Sequence, residues 1–125
     1  YSNYILDKRA IQSNFKSRLS VLRQFLLPKK HKRLLEVGSA YGFFLQLAQK
    51  YFEEVIGIDV TEEGTKYATE ELGLTAYKAD LIDWDFSDYK PDVVCMWDTI
   101  EHLRSPDLYL EKISENMSQM SIGIA

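Results

Sequence analysis

LLEVGSAYG, at residues 34–42, joins a short apolar run to a turn that contains two glycines. Two further apolar runs follow at 55–58 and 92–97, and stretches with helical apolar spacing separate the runs. Short, nearly continuous apolar runs are typical of parallel strands that are buried on both faces of a sheet. The alternation of strand and helix therefore predicts an open, doubly wound α/β sheet, mostly parallel, with helices on both faces.

Five strands are predicted, of which the third, near 75–77, is weak and the fifth, at 120–124, ends the chain. Neither chain end resembles a natural terminus, because the first residue is Tyr1 and the last, Ala125, lies in an apolar run. We therefore expect the C-terminal strands of the fold to be missing. The fifth strand would then be a bare apolar edge, which predicts that further sequence covers it or that a second copy pairs with it in a homodimer.

Local signals also mark the ends of helices. Thr61 is a predicted N-cap that precedes two acidic residues, and Gly73 is the predicted end of the same helix. Ser105 and Pro106 form another predicted start, with serine as the cap and proline in the first turn. A further helix is predicted to begin near Gly42, and its apolar face consists of Phe44, Leu47, Ala48 and Tyr51.

Residues 5–27 have the spacing of an amphipathic helix that ends before Pro28, with an apolar stripe formed by Phe15, Leu19, Leu22 and Leu26. We divide the chain into a basic N-terminal helix and linker, residues 1–32, and a main domain, residues 33–125. Residues 1–33 carry a net charge of +8, and the rest of the chain carries −12. We expect the helix to pack electrostatically on its own acidic domain, and the alternative is docking to nucleic acid or anionic lipid.

Length and composition favour a single hydrophobic core, since the chain has 125 residues of which 46% are apolar. No apolar stretch approaches the roughly 20 residues that cross a bilayer, and no signal peptide pattern opens the chain. The single cysteine, Cys95, excludes an internal disulfide and is interpreted as a small buried apolar side chain. These features predict a cytoplasmic protein.

Four carboxylates lie at or next to predicted strand ends, where ligands bind in an open α/β sheet. They are Glu36, Asp59, Asp80 and Asp98. No Lys or Arg occurs between Arg33 and Lys50, so a pyrophosphate would be repelled, and the glycine spacing differs from the dinucleotide fingerprint. The charges fit S-adenosylmethionine (SAM), which carries a sulfonium, an ammonium, two ribose hydroxyls and an adenine amino group but only one carboxylate. The helix that follows the turn is expected to attract that carboxylate.

Four segments are similar, in order and spacing, to the motifs of class I SAM-dependent methyltransferases: LLEVGSAYG (34–42), VIGIDV (55–60), KADL (78–81) and PDVVCMWDTIEHL (91–103). The resemblance covers about residues 33–125 and implies a Rossmann-like fold with SAM as the cofactor. It implies that the methionine part is held by a loop containing Glu36, Gly38, Ser39, Ala40, Tyr41 and Gly42. It also implies ribose contacts by Asp59, with Val60 in the same site, adenine contacts by Asp80 and Leu81, and a floor near the sulfonium formed by Trp97 and Asp98. Ala40 stands where the motif usually has glycine, and we expect it only to narrow the loop slightly.

The stretch that contains Trp97, Asp98, Glu101 and His102 resembles methyltransferases that act on small molecules such as quinones, sugars and lipid-linked intermediates. Methyl transfer is an in-line displacement that positioning and desolvation accelerate, so an acid or base is not essential. His102 is the candidate catalytic residue, as an acceptor of a proton from a hydroxyl or amine. The alternative is that His102 and Glu101 only make local structural contacts. We assign no metal ligand.

Two other functions are compatible with parts of the sequence. A nicotinamide-dependent dehydrogenase would share the glycine-rich turn, although the dinucleotide fingerprint is absent. An RNA-modifying or RNA-binding protein would dock through the basic helix at 5–27, and its affinity would fall steeply with salt. Nucleic acid is disfavoured as a partner because the main domain is strongly acidic.

Overall fold

The computed structural model describes residues 8–24, 32–96, 106–116 and 122–124. These residues form four helices and five strands. In chain order they are α1 (Lys8–Arg23), β1 (Arg33–Val37), α2 (Phe43–Ala48), β2 (Glu54–Asp59), α3 (Glu62–Glu70), β3 (Ala76–Lys78), β4 (Val93–Cys95), α4 (Pro106–Asn116) and β5 (Ile122–Ile124).

The five strands form one sheet in the order β3-β2-β1-β4-β5, and every pair of neighbours is parallel. The chain builds β2 and β3 on one side of β1 and then crosses to build β4 and β5 on the other side. The crossing creates a topological switch point between β1 and β4, which is where ligands bind in sheets of this type. The predicted doubly wound α/β fold is confirmed.

Two apolar clusters cover the opposite faces of the sheet because consecutive side chains on a strand point to opposite sides. Leu34 of β1 belongs to the cluster that packs under α1, α2 and α3. Leu35, the next residue, belongs to the cluster that includes Ile113 of α4. Both leucines are fully buried, and each such burial contributes about 1.5–3 kcal/mol. Helices therefore lie on both faces of the sheet, as the sequence predicts.

The apolar stripe of α1 packs on α2. Leu22 is fully buried, Leu19 is almost so, and the rings of Phe15 and Phe44 meet edge to face with their centroids 5.8 Å apart. The described helix is shorter than the predicted range of 5–27, and Leu26 and Pro28 lie outside the described residues. The contact between α1 and the main domain is thus largely apolar.

The start of α4 and the end of α3 lie where the sequence predicts them, whereas the cap of α3 and the end of α2 differ from the prediction. α4 begins at Pro106, and a left-handed Gly73 follows the end of α3, although Ser105 lies outside the described residues. Thr61 occupies the N-cap position of α3 but makes no capping hydrogen bond with its side chain. Tyr51 lies beyond the end of α2, where its ring packs under the guanidinium of Arg23 at 4.0 Å from the centroid.

Three further expectations concern the described part of the chain. None of its helices has the length and apolar content that a bilayer span requires. It contains no group of three or more His, Cys, Asp or Glu residues that could hold a metal ion. Cys95 is fully buried, and burial, together with the charge of Glu36, raises the pKa of its thiol. The thiol is therefore a buried apolar group, as expected.

Candidate functional site

The glycine-rich loop between β1 and α2 is fastened to the end of β2. The backbone N–H groups of Gly38 and Ser39 both donate to the carbonyl oxygen of Ile58, at 2.8 and 3.0 Å. The N–H of Ala40 donates to Oδ1 of Asp59 at 3.2 Å. These bonds hold the loop over the carboxyl edge of the sheet, which is the edge predicted to bind a ligand.

Asp59 is a nearly buried carboxylate that local donors hold in place. Its Oδ2 accepts hydrogen bonds from the backbone N–H and the hydroxyl of Thr61. The hydroxyl of Thr61 thus orients Asp59, which explains why it does not cap α3. Because each carboxylate oxygen has room for about two donors, Oδ1 keeps one acceptor position in addition to its bond from Ala40.

Glu36 has no hydrogen-bond partner for its Oε1 among the described residues, although the side chain is only 2% exposed. Burial raises the pKa of Glu36 well above its usual value, the charge of Asp59 raises it further, and the charge of Arg18 lowers it. Leaving a buried polar group unpaired costs about 1–3 kcal/mol, and more if the group is charged. A cationic ligand that donated to Oε1 would remove this cost.

Arg18 is a residue that the sequence interpretation did not single out, because it treated the basic residues of the N-terminal helix as one group that packs on the acidic domain. Arg18 lies on α1, four residues before the buried Leu22 and three after Phe15. This helical spacing places Arg18 beside the apolar stripe. The same spacing was available in the sequence as a signal that Arg18 faces the main domain.

Two glycines that the sequence interpretation passed over make room for the loop. A Cβ on Gly57 would lie 2.6 Å from Oγ of the buried Ser39, and a Cβ on Gly64 would lie 2.7 Å from the carbonyl oxygen of Ala40. The signal in the sequence is that both glycines interrupt elements, β2 and α3, that otherwise disfavour glycine. Oγ of Ser39 makes no hydrogen bond with the described part of the chain. In this respect it resembles Oε1 of Glu36.

Ala40 changes the loop in a different way from the one expected. Its φ is +49°, in the left-handed region that a side chain with a Cβ disfavours, and φ of Gly42 is +85°. The replacement of the usual glycine by Ala40 therefore strains the backbone as well as narrowing the loop. The strain is local and the hydrogen bond from Ala40 to Asp59 is still made.

The side chains of two predicted site residues are buried in the core. Tyr41 is fully buried and packs edge to face on Tyr67, with the ring centroids 5.4 Å apart. Leu81 is 1% exposed and belongs to the apolar cluster on the α4 side of the sheet. Only the backbone groups of Tyr41 and Leu81 could therefore meet a ligand. Val60 is 64% exposed, next to Asp59.

Asp80 follows β3, the neighbour of β2, at the same edge of the sheet. Its Oδ1 accepts hydrogen bonds from the backbone N–H of Ile82 at 3.1 Å and from the hydroxyl of Tyr109 at 2.6 Å. Its Oδ2 accepts none from the described residues. Tyr109, on α4, is a further residue that the sequence interpretation missed, since no local pattern links it to Asp80.

The structure thus brings together three of the four predicted carboxylates, Glu36, Asp59 and Asp80, at the ends of three adjacent strands. The fourth, Asp98, lies outside the described residues, as do Trp97, Glu101 and His102. Their assignments stay predictions.

Three solved structures illustrate the folds that resemble this chain. A SAM-dependent methyltransferase from Archaeoglobus fulgidus is 22% identical over 98% of this chain and 57% of its own, with a TM-score of 0.75. Phosphoethanolamine N-methyltransferase 2 from Haemonchus contortus, in complex with phosphomonomethylethanolamine and S-adenosylhomocysteine, is 22% identical over 87% of this chain and 27% of its own, with a TM-score of 0.77. A sugar N-methyltransferase from Streptoalloteichus is 16% identical over 94% of this chain and 46% of its own, with a TM-score of 0.68.

The chain spans between 27% and 57% of the length of these three structures, and identities this low establish the fold alone. A search of curated protein sequences found no match. A family model described as a methyltransferase domain matches residues 11–120, which is most of the chain. The chain therefore belongs to the methyltransferase domain family, and the resemblance to class I SAM-dependent methyltransferases is confirmed.

Proposed function

We propose that the carboxyl edge of this sheet binds SAM and that the protein of which this chain is part transfers the methyl group to a small-molecule acceptor. One observation carries the proposal. Oε1 of Glu36 is a buried acceptor without a hydrogen-bond partner among the described residues, and the Asp59 carboxylate lies close enough to raise the pKa of Glu36. A ligand with an ammonium group compensates both carboxylates, whereas a phosphate would be repelled.

The donors of SAM match the acceptors at the three strand ends. Glu36 would accept from the ammonium of the methionine part, and the loop at 38–42 would lie against that part. Asp59, which keeps an acceptor position on Oδ1, would take a ribose hydroxyl. Asp80, whose Oδ2 accepts no bond from the described residues, would take the adenine amino group. Trp97 and Asp98 remain the predicted floor near the sulfonium.

The contribution of the chain to the reaction is mainly positional. SAM supplies a methyl group that is activated by the sulfonium to which it is attached. Glu36, Asp59 and Asp80 would fix the orientation of the donor, which accelerates an in-line displacement by holding the reacting atoms near their final geometry. The rings of Tyr41 and Phe43, which are buried and stacked on each other, would limit the access of water to the site. His102 is proposed to accept the proton that a hydroxyl or amine acceptor releases.

We propose a small-molecule acceptor, with O-, N- or C-methylation as the reaction. Two observations support this class. The stretch around Trp97 and His102 resembles small-molecule methyltransferases, and two of the structures with a similar fold are named for sugar and phosphoethanolamine methylation. We assign residues 33–125 to the cofactor domain and residues 1–32 to a preceding helical segment.

Isothermal titration calorimetry with SAM and with S-adenosylhomocysteine tests the cofactor. We expect micromolar binding of both by the unsubstituted chain and no measurable binding by Asp59→Ala. Glu71→Gln is the matched control, because this carboxylate is exposed at the end of α3, and its removal should leave the affinity unchanged. Binding of NAD with higher affinity than S-adenosylhomocysteine would overturn the proposal in favour of a dehydrogenase.

A further inference from the structure

We infer that Tyr109 is a positioning residue for recognition of the nucleobase: its hydroxyl holds Oδ1 of Asp80 and so reserves Oδ2 for a donor on the purine, the adenine amino group. The inference rests on the proposed function and adds a residue from a distant helix to the site. It assigns to α4 a part in selecting the cofactor.

The two oxygens of Asp80 have different environments. Oδ1 has two donors, the hydroxyl of Tyr109 at 2.6 Å and the backbone N–H of Ile82 at 3.1 Å, which fill its acceptor positions. Oδ2 has no donor among the described residues. The carboxylate is therefore fixed in one orientation with one oxygen available, which makes it an acceptor for an incoming N–H group and a repulsive neighbour for an incoming carbonyl oxygen.

The position of the Tyr109 hydroxyl is set by the packing of α4. Ile113, one turn later on the same helix, is buried in the cluster on this face of the sheet, and Tyr109 packs against that cluster. Lys112 donates from Nζ to the carbonyl oxygen of Ile82 at 2.8 Å. α4 therefore holds the segment after β3 at two points, once through the backbone of Ile82 and once through the side chain of Asp80.

The direction of the hydrogen bond follows from the protonation state of Tyr109. The hydrogen bond to Asp80, with smaller contributions from burial and from the charges of Asp80 and Asp83, raises the pKa of Tyr109 to about 12. At neutral pH the phenol therefore carries its proton and donates to the carboxylate. The N–H of Ile82 is likewise a donor only, so both neighbours of Oδ1 require an acceptor at that position.

A substitution at Asp80 tests this arrangement directly. In Asp80→Asn the amide oxygen should occupy the Oδ1 position, because Tyr109 and Ile82 both donate there, and the amide NH₂ group should take the Oδ2 position. The variant would then present a donor in place of an acceptor. The probes are S-adenosylhomocysteine, with an amino group on the purine, and S-inosylhomocysteine, which has a carbonyl oxygen at the same place.

Calorimetry gives the ratio of the two dissociation constants for each protein. We expect the unsubstituted chain to prefer the adenine ligand by about tenfold or more and Asp80→Asn to prefer the inosine ligand. Tyr109→Phe, which removes only the hydroxyl, should reduce the preference of the unsubstituted chain about fivefold, the effect of one hydrogen bond. Adding Tyr109→Phe to Asp80→Asn should weaken the reversal about fivefold, since only the N–H of Ile82 then favours the amide oxygen in the Oδ1 position.

Tyr89→Phe is the matched control. It also removes a tyrosine hydroxyl that donates a hydrogen bond, here to the carbonyl oxygen of Leu34 at 2.9 Å, away from Asp80. It should leave the ratio of dissociation constants unchanged even if it lowers the melting temperature. A purely structural role for Tyr109 would weaken both ligands equally in Tyr109→Phe.

The outcomes separate this inference from the proposed function. Failure of the unsubstituted chain to bind either ligand refutes the proposed function and the inference with it. If the unsubstituted chain binds and prefers adenine but Asp80→Asn keeps that preference, the cofactor assignment stands and Tyr109 does not orient residue 80. An Asp80→Asn variant that keeps the preference for adenine refutes the inference even if Tyr109→Phe does not fold, and the double variant separates the contribution of Tyr109 from that of Ile82.

Discussion

The carboxylate of Asp59, at the end of β2, lies close enough to the buried Glu36 of β1 for its charge to add to burial in raising the pKa of Glu36. Glu36 has no hydrogen-bond partner for Oε1 among the described residues. In the absence of a ligand, these two carboxylates therefore lower the free energy of unfolding relative to uncharged side chains of the same shape. Binding of a cation would convert the same pair into a favourable interaction, which is the basis of the first two predictions.

Glu36→Gln should stabilise the ligand-free chain at neutral pH, by about 1–3 kcal/mol, because a buried neutral amide has a smaller desolvation cost than a buried charged carboxylate. The pKa of Glu36 is raised in the folded chain, so the folded state holds the proton more tightly than the unfolded one. The unsubstituted chain should therefore lose stability as the pH rises above about 4.5, until the raised pKa is passed. Melting temperatures at pH 5 and pH 8 test this, and the advantage of Glu36→Gln should be larger at pH 8. An equal effect of Glu71→Gln, at an exposed carboxylate, would contradict it.

The affinity for S-adenosylhomocysteine should increase with pH between pH 5.5 and 8. The ammonium of the ligand stays charged over this range, and only the ionised form of Glu36 pairs with it. The raised pKa of Glu36 places its ionisation above the usual range, so acid should weaken binding, by at most tenfold per pH unit. Calorimetric titrations across the range provide the slope. Glu36→Gln should bind weakly with no such slope, and an unchanged slope in this variant would assign the effect to another group.

Ala40→Gly should stabilise the chain by about 0.5–1 kcal/mol. The left-handed backbone of Ala40 costs about 1–2 kcal/mol for a residue with a Cβ, and the greater freedom of glycine in the unfolded chain returns part of that amount. Urea unfolding provides the free energy. Ala68→Gly, inside α3, is the control and should destabilise by about 1 kcal/mol or more. A loss of stability in Ala40→Gly would show that the loop does not relax at this position.

Gly64→Ala should move the loop and reduce the affinity for S-adenosylhomocysteine at least tenfold, roughly the cost of a misplaced binding loop. The new Cβ would lie 2.7 Å from the carbonyl oxygen of Ala40, a backbone atom that moves only with the loop. Alanine is otherwise preferred in a helix by about 1 kcal/mol, so a destabilisation of about 1–3 kcal/mol would be diagnostic of the clash.

Gly73→Ala provides the comparison for Gly64→Ala. No atom lies within 4 Å of a Cβ at Gly73, and φ there is +66°, so only local backbone strain of about 1 kcal/mol is expected. Its affinity for S-adenosylhomocysteine should equal that of the unsubstituted chain. Equal losses of affinity in the two variants would indicate that stability, and not loop position, limits binding.

The sequence alone determined the fold class, the positions of the five strands along the chain and the carboxylates at strand ends. These features are local: the apolar runs are complete within a few residues, and the end of a parallel strand fixes the edge at which the next side chains lie. Glu36, Asp59 and Asp80 could be assigned to one edge for this reason. The end of α2 was not predicted correctly, because the apolar pattern continues past the last helical residue to Tyr51.

Only the tertiary structure decided how those carboxylates differ. Arg18 acts on Glu36 from α1, Tyr109 holds Asp80 from α4, and Gly64 of α3 makes room for the backbone of Ala40. Each of these relationships joins elements that are far apart in sequence, so no local pattern encodes it. The positive φ of Ala40 has the same origin, since the loop must reach the end of β2 while α3 packs against it. The types and positions of the site residues are thus properties of the sequence, whereas their protonation, orientation and strain depend on which distant elements the fold places beside them.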